Sequence, residues 1–503
     1  MTNHLTRRSQ SDRSQSRRFL SRRTLLSGTA LSGLALTAGT AGTARAAAAT
    51  TPHRTAPTPT SAPTHRAATP ETYTAIPVAP GGGPAAADRV HVLKIGPRDA
   101  GTVLVLVPGM FGAANDFRLM ARDLVAAVPG VQVWAFDRRE ENLADRSGFN
   151  AASTFTSAPT SSPDPAAYYL DGHYRAQDPA SSPFAADWGL PLTLDDLRAV
   201  VLAAAGGGRR RVVLGGHSWG ATTALAYAAW DFGGRPGFRD LVGLAVIDGG
   251  VLGAFDGNGT PVQDSPEEVR QRLAAIEGGA VFDMTISGVG LGSRAESTQI
   301  WYQLAGWYAH HDPAGRSVLQ PRLPDALRPA APISNAALLG LLVDTGFGWP
   351  NDISVHSGHF AENADGNGVR GWVDDGITPI SRVAEAYAGP VPGVWEWYWP
   401  ARLSVDLDVA DVYADTDLAR SLGLRLRHGA GLDVPLYAFG TSYSKGTVLE
   451  GARKVAAGSR VPYGVYESDN GMNHLDPLFA ATAHNTATRS LAQFLRKVVG
   501  GSA

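Results

Sequence analysis

The stretch Arg210-Arg-Val-Val-Leu-Gly-Gly-His-Ser-Trp-Gly220 decides the fold of this chain. Its apolar, β-branched run 212–214 predicts a strand, and the Ala-rich run 221–230 predicts a helix. Ser218 lies at the turn between them, with a glycine two residues before it and another two residues after it. A serine in so sharp a turn takes a strained backbone conformation, and flanking glycines leave room for it. Its hydroxyl would then face the N-terminal amides of the helix.

Gly216, Ser218 and Gly220 form a Gly-x-Ser-x-Gly pattern between a strand and a helix, and this resembles the nucleophile elbow of serine α/β-hydrolases. The pattern also occurs by chance in a chain with 58 glycines, so the flanking strand and helix carry the resemblance. It extends over about residues 75–250 and 433–500. It implies acyl transfer at Ser218 and a sheet with helices on both faces.

Apolar strands alternate with amphipathic helices on either side of this stretch. Further strands are predicted at residues 89–95, 102–107, 131–136, 241–247, 434–439 and 461–466. Strands that alternate with helices at this interval favour right-handed crossovers and a parallel sheet. Thr193 is predicted to cap the helix that precedes the elbow strand. The predicted fold class is therefore α/β, with a doubly wound and mostly parallel sheet.

Residues 251–432 interrupt this alternation, since they are helical or irregular and rich in Trp, Tyr and Gly. Because the segment leaves and returns at the active edge of the sheet, we predict a cap inserted before the last two strands. The core then comprises residues 73–250 and 433–503. Aromatic groups of the cap lie at 301–302, 307–308, 347–349 and 395–399. These side chains either line a pocket or fill the cap's own core.

Residues 1–46 have the features of an export signal. Seven arginines within the first 23 residues precede the apolar run Leu25–Ala38, and Ala44-Arg45-Ala46 is typical of a cleavage site. The segment 21–26 resembles a twin-arginine signal, which exports folded proteins. A membrane anchor is the alternative, but the apolar run is shorter than the ~20 residues that span a bilayer. We therefore predict a secreted protein, cleaved near Ala46, with no membrane span after processing.

The composition of the chain indicates a linker and excludes some classes of binding partner and of catalysis. Residues 47–72, rich in Ala, Thr, Pro and Ser, predict a disordered linker. Loss of the eight arginines and one aspartate of residues 1–46 would lower the formal charge from −2 to −9. An acidic chain without a basic cluster is not typical of a nucleic-acid-binding protein. Since the chain has no cysteine, disulfides and thiol catalysis are excluded.

A serine hydroxyl needs a general base, and His474 is the predicted base. It lies in a loop between the last predicted strand and the closing helix. The resemblance implies a histidine at this place, with the chain order serine, acid, histidine. An ordinary loop histidine is the alternative. Four histidines of the predicted cap are interpreted as solvated or structural: His310, His311, His356 and His359. The side chain of His217 is expected to face the sheet.

The acid that orients this histidine is predicted to be Asp248, which follows the strand at 241–247. Related enzymes usually supply it from the loop after the next strand, but here that loop, residues 439–445, contains no carboxylate. The resemblance implies a second position for the acid, the end of the preceding strand, and Asp248 occupies it. A turn or helix-cap aspartate is the alternative interpretation of Asp248. Glu450 and Asp469 are the reserve candidates.

The resemblance also implies two backbone amides that stabilise an oxyanion, those of Met110 and Trp219. Trp219 follows the nucleophile, and Met110 lies in the loop after the strand at 102–107. The family often has His-Gly in that loop, where this chain has Pro108-Gly109. A backbone donor does not depend on that side chain.

Residues 363–374 have the spacing of a calcium loop, with Asn363, Asp365, Asn367 and finally Asp374. The loop begins with Asn, ends with Asp and lacks clear flanking helices, so a polar turn is the preferred interpretation. We predict neither a cofactor nor a metal.

These residues together predict a secreted serine hydrolase that cleaves carboxylic esters of small molecules or lipids through an acyl-enzyme. A serine exopeptidase or amidase of the same fold is one alternative. A catalytically silent binding protein is the other, favoured by the missing carboxylate after Phe439. The sequence does not determine the oligomeric state.

Overall fold

The computed structural model describes residues 69–153, 164–258, 265–283, 294–346, 354–388 and 395–500. The predicted export segment 1–46 lies outside these ranges, as do most of the predicted linker and residues 347–349. The first strand begins at Glu71, two residues before the predicted start of the core at Tyr73.

Ten strands lie in the described residues: β1 Glu71–Pro77, β2 Arg89–Ile95, β3 Thr102–Val107, β4 Val131–Asp137, β5 Arg211–His217, β6 Gly243–Ile247, β7 His359–Ala364, β8 Arg370–Val373, β9 Leu436–Thr441 and β10 Gly464–Asp469. Eight of them form one sheet in the order β1-β2-β4-β3-β5-β6-β9-β10. The pairs β1–β2 and β2–β4 are antiparallel, and all other pairs of this sheet are parallel. The predicted mostly parallel sheet is confirmed.

The helices are α1 Arg118–Ala127, α2 Ser147–Ser153, α3 Pro165–Leu170, α4 Leu190–Ala205, α5 Trp219–Ala229, α6 Pro266–Glu277, α7 Ser297–His311, α8 Asn335–Val343, α9 Ile380–Tyr387, α10 Ala401–Ala410, α11 Asp417–Ser421, α12 Thr447–Ala457, α13 Asp476–Phe479 and α14 Thr486–Gly500. Helix α1 packs against α14, while α4 packs against α5. Every residue of β3, β4, β6 and β9 is buried. Because successive side chains of a strand point to opposite faces, both faces of the sheet are covered, as predicted for a doubly wound fold.

Two predicted strands are displaced towards the C-terminus. The strands expected at 434–439 and 461–466 are observed as β9 and β10. Each prediction contained a proline as its second residue, Pro435 or Pro462, and each observed strand begins after that proline. Since proline has no amide hydrogen, it cannot donate to the ladder of a parallel sheet.

The predicted cap of Thr193 on α4 is wrong. The helix begins at Leu190 after the N-cap residue Gly189, and Pro191 occupies its first turn. Proline has a backbone conformation suited to this position and needs no amide partner there. Thr193 lies inside the helix, where its hydroxyl donates to the Gly189 carbonyl over 3.1 Å.

The insertion between β6 and β9 contains helices α6–α11 and the hairpin β7–β8. It contacts the carboxyl edge of the sheet, where the amide of Glu396 donates to the Phe111 carbonyl over 2.8 Å. The rings of Trp399 and Trp219 lie 6.1 Å apart there. The insertion therefore covers the edge at which the elbow ends. Within the ranges described, no helix has the length and apolar character to cross a bilayer.

Candidate active site

The turn between β5 and α5 has the strained geometry that the sequence predicts. Ser218 has φ 55° and ψ −129°, a conformation that non-glycine residues rarely adopt. Its neighbours are packed so closely that they must be glycine. A Cβ on Gly220 would lie 2.0 Å from the Val107 carbonyl oxygen, and a Cβ on Gly216 would lie 2.2 Å from that of Gly220. The hydroxyl of Ser218 is therefore held at the end of β5.

Register places the acid beside the elbow. In the ladder β5–β6, His217 pairs with Ile247, and the amide of Ser218 donates to the Ile247 carbonyl over 3.0 Å. Asp248 follows directly, and its amide donates to the Phe439 carbonyl of β9 over 2.7 Å. Ser218 and Asp248 are thus the first residues beyond two neighbouring parallel strands.

His474 joins this edge through its ring. Its Nδ1 donates to Asp248 Oδ2 over 2.7 Å, and the side chains of both residues are almost completely buried. Since a carboxylate only accepts, this bond places the proton on Nδ1 and leaves Nε2 as the basic nitrogen. Histidine in this tautomer can receive a proton from a hydroxyl. The ring also contacts that of Tyr443, with the centroids 4.4 Å apart.

The loop after β9, which contains no carboxylate, supplies donors to Asp248. The amide of Thr441 donates to Asp248 Oδ1 over 2.8 Å, and its hydroxyl donates to Oδ2 over 2.5 Å. Burial acts to raise the pKa of Asp248, but hydrogen bonds from His474 and Thr441 outweigh it and hold that pKa below its usual value. Asp248 is therefore an anion at neutral pH. Sequence reasoning missed Thr441, whose only signal is its place at the end of β9.

His217 contacts both the backbone and the ring of His474. Its Nε2 lies 2.8 Å from the His474 carbonyl oxygen, and the two rings lie 4.3 Å apart. Because a carbonyl only accepts, Nε2 of His217 carries the proton. Burial lowers the pKa of His217 to about 3, so the ring is neutral at physiological pH. The side chain is buried, and through this bond it holds the backbone of the proposed base.

Neither Ser218 Oγ nor His474 Nε2 has a hydrogen-bond partner within the described residues. Ligand-free sites often have a long nucleophile–base distance that shortens when substrate binds. The loop after β3 approaches this serine closely. A Cβ on Gly109 would lie 2.9 Å from Ser218 Cβ and 3.5 Å from Ser218 Oγ. Only glycine allows the loop so near to the hydroxyl.

The two amides expected at the oxyanion position belong to the residue after Ser218 and to the residue after Gly109, which lies close to Ser218. Trp219 is the first residue of α5, so its amide has no acceptor within the helix. Met110 follows Gly109, and the next residue, Phe111, has φ 58°. No backbone partner of either amide is found in the described part of the chain. Both amides are therefore available to an oxyanion.

Arg138 fixes the loop after β3 from behind. Its Nη2 donates to the Pro108 carbonyl over 2.6 Å, and its Nη1 donates to Glu396 Oε2 over 3.0 Å. The guanidinium carbon also lies 4.7 Å from the centroid of the Trp399 ring. The guanidinium thus links the cap to the loop after β3, which contains Met110. Sequence reasoning missed this residue, because its partner is 258 positions away.

The structure brings none of the reserve acids to His474. Glu450 lies exposed on α12. Asp469 accepts hydrogen bonds from the Thr486 hydroxyl and the Gly471 amide instead.

The cap histidines differ from one another. His310 and His311 are exposed at the end of α7, and His359 forms an exposed pair with Asp375. His356 is half-buried, and its Nδ1 lies 2.7 Å from Asp476 Oδ2. It therefore contacts the loop of His474, which the sequence did not indicate.

The aromatic groups of the cap mostly form its core. Trp301, Trp397, Tyr398 and Trp399 are completely buried. The rings of Trp399 and Phe111 lie 5.9 Å apart, so this group also reaches the loop after β3. The aromatic residues 347–349 lie outside the described ranges.

The residues with calcium-loop spacing form the turn of the hairpin β7–β8. Asp365 Oδ1 accepts the amides of Asn367 and Val369, over 2.9 and 3.0 Å. Asp374 Oδ1 accepts the amide of Ile380 at the start of α9. No group of three or more His, Cys, Asp or Glu side chains in the described ranges could hold a metal ion. The carboxylates of this segment stabilise its turns.

No protein-family model matches this sequence, and no curated protein sequence matches it. Similar solved structures include a candidate lipase from Sulfolobus solfataricus, at 15% identity over 86% of this chain and 94% of that chain, with a TM-score of 0.47. A carboxyl esterase from Bacillus coagulans is 13% identical over 87% and 99% of the two chains, with a TM-score of 0.40. Epoxide hydrolase A from Mycobacterium thermoresistibile is 16% identical over 85% and 98%, with a TM-score of 0.38.

At such low identities and TM-scores, these likenesses carry no weight for the activity. The assignment of the fold depends on the strand order, the parallel register and the burial of both faces. This chain has the mostly parallel, doubly wound sheet of the α/β-hydrolase fold, with a cap inserted between β6 and β9.

Proposed function

We propose that this chain is a secreted serine hydrolase that cleaves carboxylic esters through an acyl-enzyme. The observation that carries the proposal is the buried hydrogen bond between His474 Nδ1 and Asp248 Oδ2, at the edge where the strained Ser218 ends β5. An imidazole whose Nδ1 donates to a buried carboxylate and whose Nε2 is free, and a serine at the end of the neighbouring strand, are the parts that acyl transfer requires.

In the proposed reaction, His474 Nε2 takes the proton of the Ser218 hydroxyl while Oγ attacks the ester carbonyl carbon. The carbonyl oxygen becomes an oxyanion, which the amides of Met110 and Trp219 stabilise. As this intermediate collapses, the bond to the alcohol oxygen breaks and His474 returns its proton to the leaving alcohol. Water then attacks the acyl-enzyme with the same base, and the released acid restores Ser218.

Asp248 has a supporting part in both steps. Its negative charge stabilises the imidazolium that forms when His474 holds the proton, and its hydrogen bond keeps the ring oriented. Because Thr441 and His474 already satisfy its oxygens, the carboxylate needs no rearrangement during the reaction.

The environment of the serine favours an apolar ester. Trp219 and Trp399 contact each other beside the elbow, and Phe111 packs against the latter. On this fold, epoxide opening is typical of enzymes with an aspartate nucleophile. A serine at that position therefore argues against epoxide hydrolysis. Export follows, as a proposal, from the arginine-rich and apolar segment 1–46.

The test is to measure hydrolysis of p-nitrophenyl esters of short and long acyl chains, beside aminoacyl anilides. We expect ester turnover by the wild-type protein, loss of turnover in Ser218→Ala, and labelling of Ser218 by an organophosphonate. Ser459→Ala, at the end of α12, is the matched control and should keep full activity. If anilides are cleaved faster than every ester, the amidase alternative replaces this proposal. Absence of labelling together with absence of turnover would favour the silent binding protein.

A further inference from the structure

We propose that His356 and Asp476 are positioning residues that tie the cap to the loop carrying His474, so that the docked cap holds the general base in place. This inference rests on the proposed function, because it concerns the same histidine. It adds two residues, neither of which is placed in contact with the substrate.

Asp476 lies two residues after His474, and its carboxylate is completely buried. It accepts four hydrogen bonds from three segments of the chain. The amide of Asn473, directly before the base, donates to Oδ2 over 2.7 Å. From the cap, the amide of His356 donates to Oδ1 over 2.9 Å, and the Thr378 hydroxyl donates to Oδ1 over 2.6 Å. The fourth partner is His356 Nδ1, 2.7 Å from Oδ2.

Further backbone bonds run between the same segments. The amide of Ala481 donates to the Ile377 carbonyl over 2.9 Å, and the amide of Thr378 donates to the His356 carbonyl over 2.9 Å. The two cap segments are therefore bound to each other, to Asp476 and to the chain after it. A displacement of the cap here would move the residue next to His474.

Asp344 binds the two residues that follow His356. Its Oδ2 accepts the amides of Ser357 and Gly358, over 2.7 and 3.0 Å, and the Ser357 hydroxyl over 2.9 Å. His356 thus lies between two buried carboxylates, Asp476 and Asp344. The hydrogen bond with Asp476 raises the pKa of His356, and the charge of Asp344 adds to this effect. A protonated ring strengthens the bond to Asp476.

The same cap contains a second histidine–aspartate pair that serves as a comparison. His359 and Asp375 lie 3.3 Å apart, but both side chains are more than half exposed. This pair connects two positions of the cap with each other and makes no contact with the loop of His474 among the described residues. Its removal takes away a bond of similar type without touching the proposed base.

The experiment uses the full chain and four variants: His356→Ala, His356→Asn, Thr378→Val and His359→Ala. Asn carries its amide nitrogen on the γ carbon, where histidine carries Nδ1, so it can keep the donor to Asp476. Ester hydrolysis gives kcat and KM, hydrogen–deuterium exchange reports the amides of residues 472–481, and thermal unfolding monitors the fold.

Since a displacement of about 1 Å can cost on the order of 100-fold in rate, we expect His356→Ala to lower kcat between about 10-fold and about 100-fold. KM should change less than about two-fold, because substrate contacts are intact. Exchange of the amides 472–481 should become faster. His356→Asn should restore most of kcat, and His359→Ala should match the wild type in both measurements.

Two results would overturn the inference. One is wild-type kcat and exchange in both His356→Ala and Thr378→Val. The other is an equal loss in His359→Ala, since the effect would then belong to the cap in general. If His356→Ala does not fold, Thr378→Val carries the test. If the wild-type protein hydrolyses no ester, the proposed function fails, whereas the exchange measurement still decides whether the cap holds the loop.

Discussion

Two carboxyl groups at the active edge of the sheet, Asp248 and Glu396, are both buried, but their pKa values are shifted in opposite directions. Asp248 is 0% exposed and Glu396 is 2% exposed. The pKa of Asp248 lies below its usual value, whereas burial and the charge of Glu140 raise the pKa of Glu396 well above its own. Burial alone therefore does not decide which carboxyl is an anion.

The difference comes from the partners of each group. Three donors point at Asp248, two from Thr441 and one from His474, and each of them favours the charged form. Glu396 accepts from Arg138, but Glu140 and Glu141 lie close enough to oppose a second negative charge. The surroundings of Asp248 thus favour the charged form of the carboxyl, and those of Glu396 shift the balance of its pKa towards the protonated form. The predictions below test this contrast, from the largest expected effect to the smallest.

The largest effect is expected from Asp248→Asn. An amide cannot stabilise the imidazolium of His474 and favours the wrong tautomer, so kcat should fall about 10⁴-fold. Ester hydrolysis measures the loss, and circular dichroism checks the fold. Asp469→Asn is the matched control, because Asp469 lies at the end of β10 and bonds Thr486 instead. Wild-type turnover in Asp248→Asn would show that another acid serves His474.

His217 is a third buried titratable group at this edge, and its hydrogen-bond partner is an uncharged backbone carbonyl, that of His474. Its folded pKa of about 3 lies below the value of about 6.5 in an unfolded chain, so the unfolded state binds more protons between these pH values. The free energy of unfolding should therefore fall with falling pH below about 6.5, by up to about 1.4 kcal/mol per unit from this residue.

The variant for this test is His217→Gln, whose amide nitrogen can still donate to the His474 carbonyl. Urea unfolding at neutral pH should give a similar free energy for variant and wild type. At acidic pH, the variant should lose less of it, because the buried titrating group is gone. Equal losses in both proteins would show that His217 does not contribute to acid unfolding.

The comparison of Asp248 with Glu396 also shows which residues of the site could be predicted from the sequence. Apolar runs indicate which strands are parallel, and the residues that follow parallel strands meet at one edge. Together with the resemblance, which implies an acid at the end of one of these strands, this is why the sequence predicted Asp248 as the partner of the site at Ser218. The role of Thr441 could not be found in this way. It depends on the register between Ile247 and Phe439, and the predicted end of β9 was two residues too early.

Partners across the cap were out of reach for a different reason. Arg138 and Glu396 are 258 positions apart, and His356 and Asp476 are 120 positions apart. Single polar residues in an irregular segment have no periodicity that would indicate a partner. Sequence reasoning therefore found Ser218, Asp248 and His474 and missed the contacts that the cap makes with this edge of the sheet.

A smaller effect is expected from the hydroxyl of Thr441. Thr441→Val keeps the shape and the backbone donor to Asp248 Oδ1, but removes the donor to Oδ2. A net loss of about 1.4 kcal/mol for a hydrogen bond to a charged group corresponds to a kcat about 10-fold lower. Thr441→Ser keeps the hydroxyl and should retain most of the activity. If Val and Ser variants have equal kcat, the hydroxyl contributes nothing to the charge of Asp248.

The smallest effect should come from Glu396→Gln, and this sharpens the comparison most. A glutamine has the shape of a protonated glutamate, so the free energy of unfolding at neutral pH should change by less than about 1 kcal/mol. Glu396→Ala should cost about 3 kcal/mol, because it leaves the buried Nη1 donor of Arg138 without its acceptor. Raising the pH should favour the Gln variant over the wild type. A native carboxyl with a raised pKa retains its proton longer than the unfolded one, so the wild-type protein loses stability as the pH rises. Urea unfolding across the neutral and alkaline range measures this, and a Gln variant as unstable as the Ala variant would mean that Glu396 is charged like Asp248.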